Sequence, residues 1–112
     1  MLSQLDQFNL HHTIAEFKAP TVVMFGSAAC SSCRHLQHVL EQLAGNRPDW
    51  LVYMVDAQRD MALTREFEVF HLPAVFLFYQ GVFHSEITCA ASPKAIQAAI
   101  EDALQKPPTE AP

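Results

Sequence analysis

Positive charge is scarce in this chain and nowhere concentrated. Its 112 residues carry 7 Lys and Arg against 12 Asp and Glu, a formal net charge of −5. That balance argues against nucleic acid and against an anionic membrane surface as partners. Long apolar runs are absent too, and no segment reaches the length needed to cross a bilayer. The opening residues Met1 to Phe8 have neither the positive flank nor the apolar stretch of a secretory leader, so a cytoplasmic location is expected. Cysteine is sparse and odd in number, at three, which suits a reducing compartment and no closed disulfide framework. No internal repeat occurs. The one low-complexity piece is Lys106 to Pro112, whose prolines cannot continue a helix and whose polarity leaves nothing to bury.

What is present is the material of a core. Half of the residues are hydrophobic and eight are Phe, enough for one compact domain over 1–105, with 106–112 expected as a disordered tail. Leu10, Ile14 and Phe17 recur at helical spacing and predict a short first helix, with only a weak strand signal at Leu5 to Phe8. After Pro20, Thr21 to Gly26 reads as a strand covered on both faces. From Ser31 to about Ala44, Leu36, Val39, Leu40 and Leu43 share one face of a helix, which Gly45-Asn46 should end. Trp50 to Val55 reads as a strand, Asp60 to Phe70 as a helix on Leu63, Phe67 and Phe70, and Ala74 to Tyr79 as another strand. Gln80-Gly81 predicts a tight turn into Val82 to Thr88. Ser92-Pro93 then caps a last helix that buries Ile96, Ala99, Ile100, Ala103 and Leu104. The expected order is α, β, α, β, α, β, β, α. This is an α/β fold with a central mixed four- to five-stranded sheet flanked by helices on both faces.

Cys30-Ser-Ser-Cys33 carries the chemistry. Two thiols three positions apart can close a disulfide within one helical turn, and these stand where a strand hands over to a helix. The free N–H groups and partial positive charge of a helix N-terminus favour the thiolate, which is the nucleophilic form. A redox pair is the first reading, with a structural disulfide and an incomplete metal site beside it. His35 and His38 extend the run to Cys-x-x-Cys-x-His-x-x-His, which invites zinc or copper. Both histidines diverge from Cys33 around the helix, so no metal is expected. His11, His12, His71 and His84 have no readable partner, and Arg34 reads as part of a solvated helix face.

Taken in order, the strand Thr21–Phe25, Cys30-x-x-Cys33 opening a long helix, Leu72-Pro73 before a strand, and a hairpin with Gly81 at its turn resemble the thioredoxin family. The resemblance runs from about Leu5 to Leu104, and Val55-Asp56 and His71 to Gly81 are similar to the family's second half. It implies the thioredoxin fold and a cis peptide bond before Pro73. In that fold the Pro73 loop faces the CxxC and pairs its backbone with an extended client peptide. It further implies thiol–disulfide exchange, with Cys30 attacking a client disulfide and the more buried Cys33 resolving the mixed disulfide. Leu72, Pro73, Ala29 and Cys89 are the candidate client contacts. Electrons would come from a reductase or another thiol, with no bound cofactor, and the protein is expected to be a monomer.

Several positions depart from the family pattern. Ala29 stands in place of a shielding Trp, Ser31-Ser32 in place of Gly-Pro, and Met24 where a buried Asp is common. Leu51 to Val55 offers no lysine to partner that missing carboxylate. A hydroxyl donating to the Cys30 sulfur would favour its thiolate, and the absent carboxylate predicts slower deprotonation of Cys33. Cys89 falls where glycine is usual, on a loop beside Cys30 and Pro73. An alternative disulfide, glutathionylation or a metal contact is open to it, and the plainer expectation is a small buried residue. The leading expectation is a protein-disulfide reductase of cell redox homeostasis. Its rivals are a non-catalytic peptide-binding or chaperone-like module and a metal-binding protein.

Overall fold

The computed structural model describes residues 2–112. Along the chain it forms β1 (Ser3–Leu5), α1 (Leu10–Ala15), β2 (Thr21–Gly26), α2 (Ser31–Asn46), β3 (Leu51–Asp56), α3 (Met61–Glu66), β4 (Ala74–Tyr79), β5 (Val82–Ile87) and α4 (Pro93–Leu104). One sheet holds the strands in the order β1-β3-β2-β4-β5. The first three lie parallel, β4 runs antiparallel to β2, and β5 antiparallel to β4.

The period-two alternation of strands divides the core between the two faces of the sheet. Val22 and Met24 point to the side covered by Leu36, Leu40 and Leu43 of α2 and Ile96 and Ile100 of α4. Val23 and Phe25 point to the other, against Leu10 and Ile14 of α1 and Leu63 of α3. Helices therefore cover both sides of β2, every residue of which is buried. On the α1 and α3 side, Phe25, Phe67, Phe76, Phe78 and Phe83 form a connected ring cluster with centroids 5.3 to 6.4 Å apart.

Three boundaries differ from the sequence reading, each for a local reason. The first strand lies at Ser3–Leu5 rather than Leu5 to Phe8, because Asp6 starts a turn by accepting from the Phe8 and Asn9 N–H groups through its carboxylate. The long helix runs through Gly45 and Asn46 and stops at Arg47, just before Pro48. The third helix is shorter than 60–70. Glu68 adopts a φ of 53°, and its N–H and that of Val69 turn back to the carbonyls of Arg65 and Thr64. That pair of bonds is a Schellman stop, and it leaves Phe70 exposed instead of buried.

The hairpin forms as expected, with Gln80 and Gly81 both at positive φ. Ser92 caps α4 by accepting from the Ala95 N–H at 3.2 Å. His84 is buried and its Nε2 lies 2.7 Å from the Ala103 carbonyl. The tail expected to be disordered, 106–112, forms neither helix nor strand and is exposed. It is tied at Lys106, whose N–H donates to the Ala103 carbonyl and whose Nζ pairs with Asp102 at 2.9 Å, and at Thr109, whose N–H donates to the His84 carbonyl at 2.8 Å.

Topology positions the site. The parallel strands end on one side of the sheet, and β4 starts there. Phe25 and Ala74 are register partners, so the loop leaving β2 toward Cys30 and the Pro73 loop entering β4 meet at the same edge.

Candidate active site

Cys30 is the N-cap of α2, with an extended backbone that opens the helix and a side chain pointing back over its first turn. Its Sγ accepts the Cys33 N–H at 3.1 Å and lies 3.3 Å from Ser32 Oγ. Cys30 and Cys33 are joined as a disulfide, with their Cα atoms 5.2 Å apart. Cys30 is half-buried, whereas Cys33 is 1% exposed. The loop before them is held by Arg34, whose Nη1 donates to the Ala28 carbonyl at 2.8 Å. Arg34 lies on the exposed face of α2, as expected, and from there also ties down the site loop.

Gly26 ends β2 directly behind the pair. A Cβ there would stand 3.2 Å from Cys33 Cβ and 3.1 Å from Met24 Cε. The absence of a side chain is what lets the helix start sit so close to the strand. Met24, which stands where the family commonly has an aspartate, brings a methyl group and not a carboxylate to the same point beside Gly26.

The Leu72-Pro73 bond is cis, as the family resemblance implies. Pro73, Ser32, His35, Ile87 and Cys89 line one cleft of about 570 Å³ between the start of α2, the Pro73 loop and the loop after β5. His35 Nε2 lies 3.2 Å from the Ala91 carbonyl, tying α2 to the far wall. Two of the sequence candidates lie off this cleft: the Leu72 side chain packs toward the α1 and α3 face, and Ala29 is exposed on the loop ahead of Cys30.

Cys89 is a correction to the expectation of a small buried residue. It is a free, exposed cysteine at the cleft wall, because the chain after β5 has left the core and α4 has not begun. Partial burial of its sulfur pushes the thiol above its ordinary value, which keeps it protonated and weakly nucleophilic at neutral pH. Among the described residues, no group of three or more His, Cys, Asp or Glu is placed to hold a metal ion.

The thioredoxin family model matches residues 2–102. The chain belongs to the thioredoxin family. A thioredoxin from Mycolicibacterium smegmatis is 31% identical over 88 residues, covering 76% of this chain and 79% of that one. Among solved structures, oxidised mitochondrial thioredoxin 3 of Saccharomyces cerevisiae superposes with a TM-score of 0.79 at 24% identity, covering 90% of this chain and 94% of its own. Zinc-bound human ERp44 matches with a TM-score of 0.75 at 17% identity. That match covers 94% of this chain and 31% of ERp44, so the chain spans about a third of that protein's length. At such identities the two structures speak for the fold alone. Family membership together with the Cys30–Cys33 pair makes this thioredoxin-family protein a thiol–disulfide oxidoreductase.

Two features of the site escaped sequence reasoning. Helical spacing places Glu68 and Phe70 within a helix, and only the early stop of α3 brings them to the cleft. Glu86 is an exposed strand residue with no signal of its own, and its place beside the cleft follows from pairing with Phe76.

Proposed function

We propose that this protein is a protein-disulfide reductase serving cell redox homeostasis, with Cys30 as nucleophile and Cys33 as resolving thiol. The observation that carries the reading is the Cys30–Cys33 disulfide at the start of α2, beside a cleft walled by Pro73. Starting from the dithiol, the Cys30 thiolate attacks one sulfur of a client disulfide. The client S–S bond breaks, a bond from Cys30 to the client forms, and the departing client thiolate takes a proton. Deprotonated Cys33 then attacks Cys30 Sγ. The mixed disulfide breaks, the second client thiolate is protonated, and the Cys30–Cys33 disulfide remains. Two electrons and two protons have passed from protein to client.

Exposure suits these roles. Half-buried Cys30 can be reached by a client, and buried Cys33 is hidden from other disulfides while standing one turn from its target. With Met24 behind it, Cys33 loses its proton to water or to the departing client thiolate. Pro73 and Cys89 contact the client through the cleft, Leu72 through its backbone and Ala29 from the adjoining loop. A reductase or another thiol restores the dithiol, and no bound cofactor takes part. A cytoplasmic, monomeric setting belongs to the same proposal, and the odd cysteine count suits the reducing compartment it assumes.

Insulin reduction in the presence of dithiothreitol tests the proposal. The wild type is expected to accelerate insulin precipitation, Cys30→Ser to abolish the effect, and Cys33→Ser to accumulate a mixed disulfide. A Cys30→Ser variant as active as the wild type would contradict the reductase and favour a peptide-binding module acting through the same cleft.

A further inference from the structure

β5 forms one edge of the sheet, and an edge strand leaves a row of backbone N–H and C=O groups open to any other strand. Its sequence, Val82 to Ile87, holds no Lys, Arg or Pro to discourage such pairing, and Val82 is 61% exposed. A bulge interrupts it. Leu77 pairs with Ser85 and Phe78 with Phe83, so His84 is the extra residue. The buried His84 ring meets the Ala103 carbonyl at the end of α4. Its own carbonyl accepts the Thr109 N–H at 2.8 Å and the Thr109 hydroxyl at 3.3 Å.

The segment that carries Thr109 passes from one face of the sheet to the other. It leaves α4 at Lys106, paired with Asp102. Pro107 and Thr109 line a cavity with Ile87 and Ala99 on the α4 side. Ala111 and Pro112 line another with Phe67 and Phe83 on the α1 and α3 side. Between the two it crosses the outer side of β5, where Thr109 is bonded. Pro107, Pro108 and Pro112 have no N–H, so the segment covers the edge without offering a full ladder to a further strand.

We propose that residues 106–112 are a strap that closes the β5 edge and keeps it from pairing with β5 of a second copy of this chain. Neither cysteine of the redox pair takes part, so the strap stands or falls separately from the reductase reading. One backbone hydrogen bond, one hydroxyl contact and an exposed ion pair hold it, which favours the closed strap about tenfold. Two copies must both open before their edges pair, so the strap weakens that pairing about a hundredfold.

Amide exchange of the full-length wild type, read by NMR, measures the latch itself. The Thr109 N–H is expected to exchange about tenfold more slowly than in an unstructured chain. Exchange at the unstructured rate overturns the proposal. Lys106→Ala/Thr109→Pro removes the ion pair and both bonds to His84 while keeping the chain length. In sedimentation equilibrium this variant is expected to self-associate about a hundredfold more tightly than the wild type. Adding Val82→Lys, which sets a charge on the edge, is expected to return it to wild-type behaviour. A double variant that associates no more tightly than the wild type, or an association that survives Val82→Lys, overturns the proposal.

Discussion

At the scale of single residues, the Cys30 sulfur meets two donors, the Cys33 N–H at 3.1 Å and the Ser32 hydroxyl at 3.3 Å. A disulfide sulfur carries no proton, so in the oxidised pair the hydroxyl is the donor. The same contact stabilises a thiolate once the pair is reduced, because a hydrogen bond to the charged form favours it. Ser32→Ala is therefore expected to raise the Cys30 pKa by about one unit, the size of one hydrogen bond to a charged group partly screened by solvent. Stabilising the thiolate stabilises the reduced pair, so the variant is also expected to have a potential lower by about 30 mV. The pH profile of iodoacetamide alkylation and a redox titration check both, and Ser32→Thr should restore the wild-type values. Unchanged values in Ser32→Ala would remove the role given to the hydroxyl. That a hydroxyl could reach Cys30 was legible in the Ser31-Ser32 pair. Which of the two does so was not, because it depends on the turn of α2 beyond the cap.

At the scale of elements, the β4–β5 hairpin is fixed by its turn. Gly81 has a φ of +82°, and a Cβ there would come within 2.7 Å of the Ala15 carbonyl oxygen at the end of α1. Backbone cannot yield as a flexible side chain can. Gly81→Ala is expected to cost about 2–4 kcal/mol, combining the left-handed penalty with overpacking. Urea unfolding monitored through Trp50 measures it, and a loss under about 1 kcal/mol would mean that the turn or α1 shifts freely. The turn itself was readable from Gln80-Gly81, but its contact with α1 was not, since nothing local announces which helix end a hairpin will meet. The end of α3 was harder still. Leu63, Phe67 and Phe70 keep helical spacing, and the stop depends on Glu68 taking a left-handed backbone that its side chain does not advertise.

At the scale of the whole molecule, the faces of the sheet were legible because β2 alternates between two apolar sets. The crossovers follow from strands separated by amphipathic helices. The short β1 was faint because Leu5 is its only buried residue. The site was legible as Cys30, Cys33 and Pro73, which carry their chemistry in their residue types. The exposure of Cys89 at the cleft wall was not, because it depends on where the loop between β5 and α4 leaves the core.

The claim on which the rest depends is that Cys30 and Cys33 form a reversible redox couple. Equilibrating the protein across a range of reduced to oxidised glutathione ratios, and counting free thiols by mass after alkylation, measures it directly. The expected result is one two-electron transition between about −270 and −120 mV, the range of known exchange-active dithiols. It should be lost in Cys30→Ser and retained in Cys89→Ser. A pair that stays fully reduced or fully oxidised across that range, or a transition that persists without Cys30, would contradict the account.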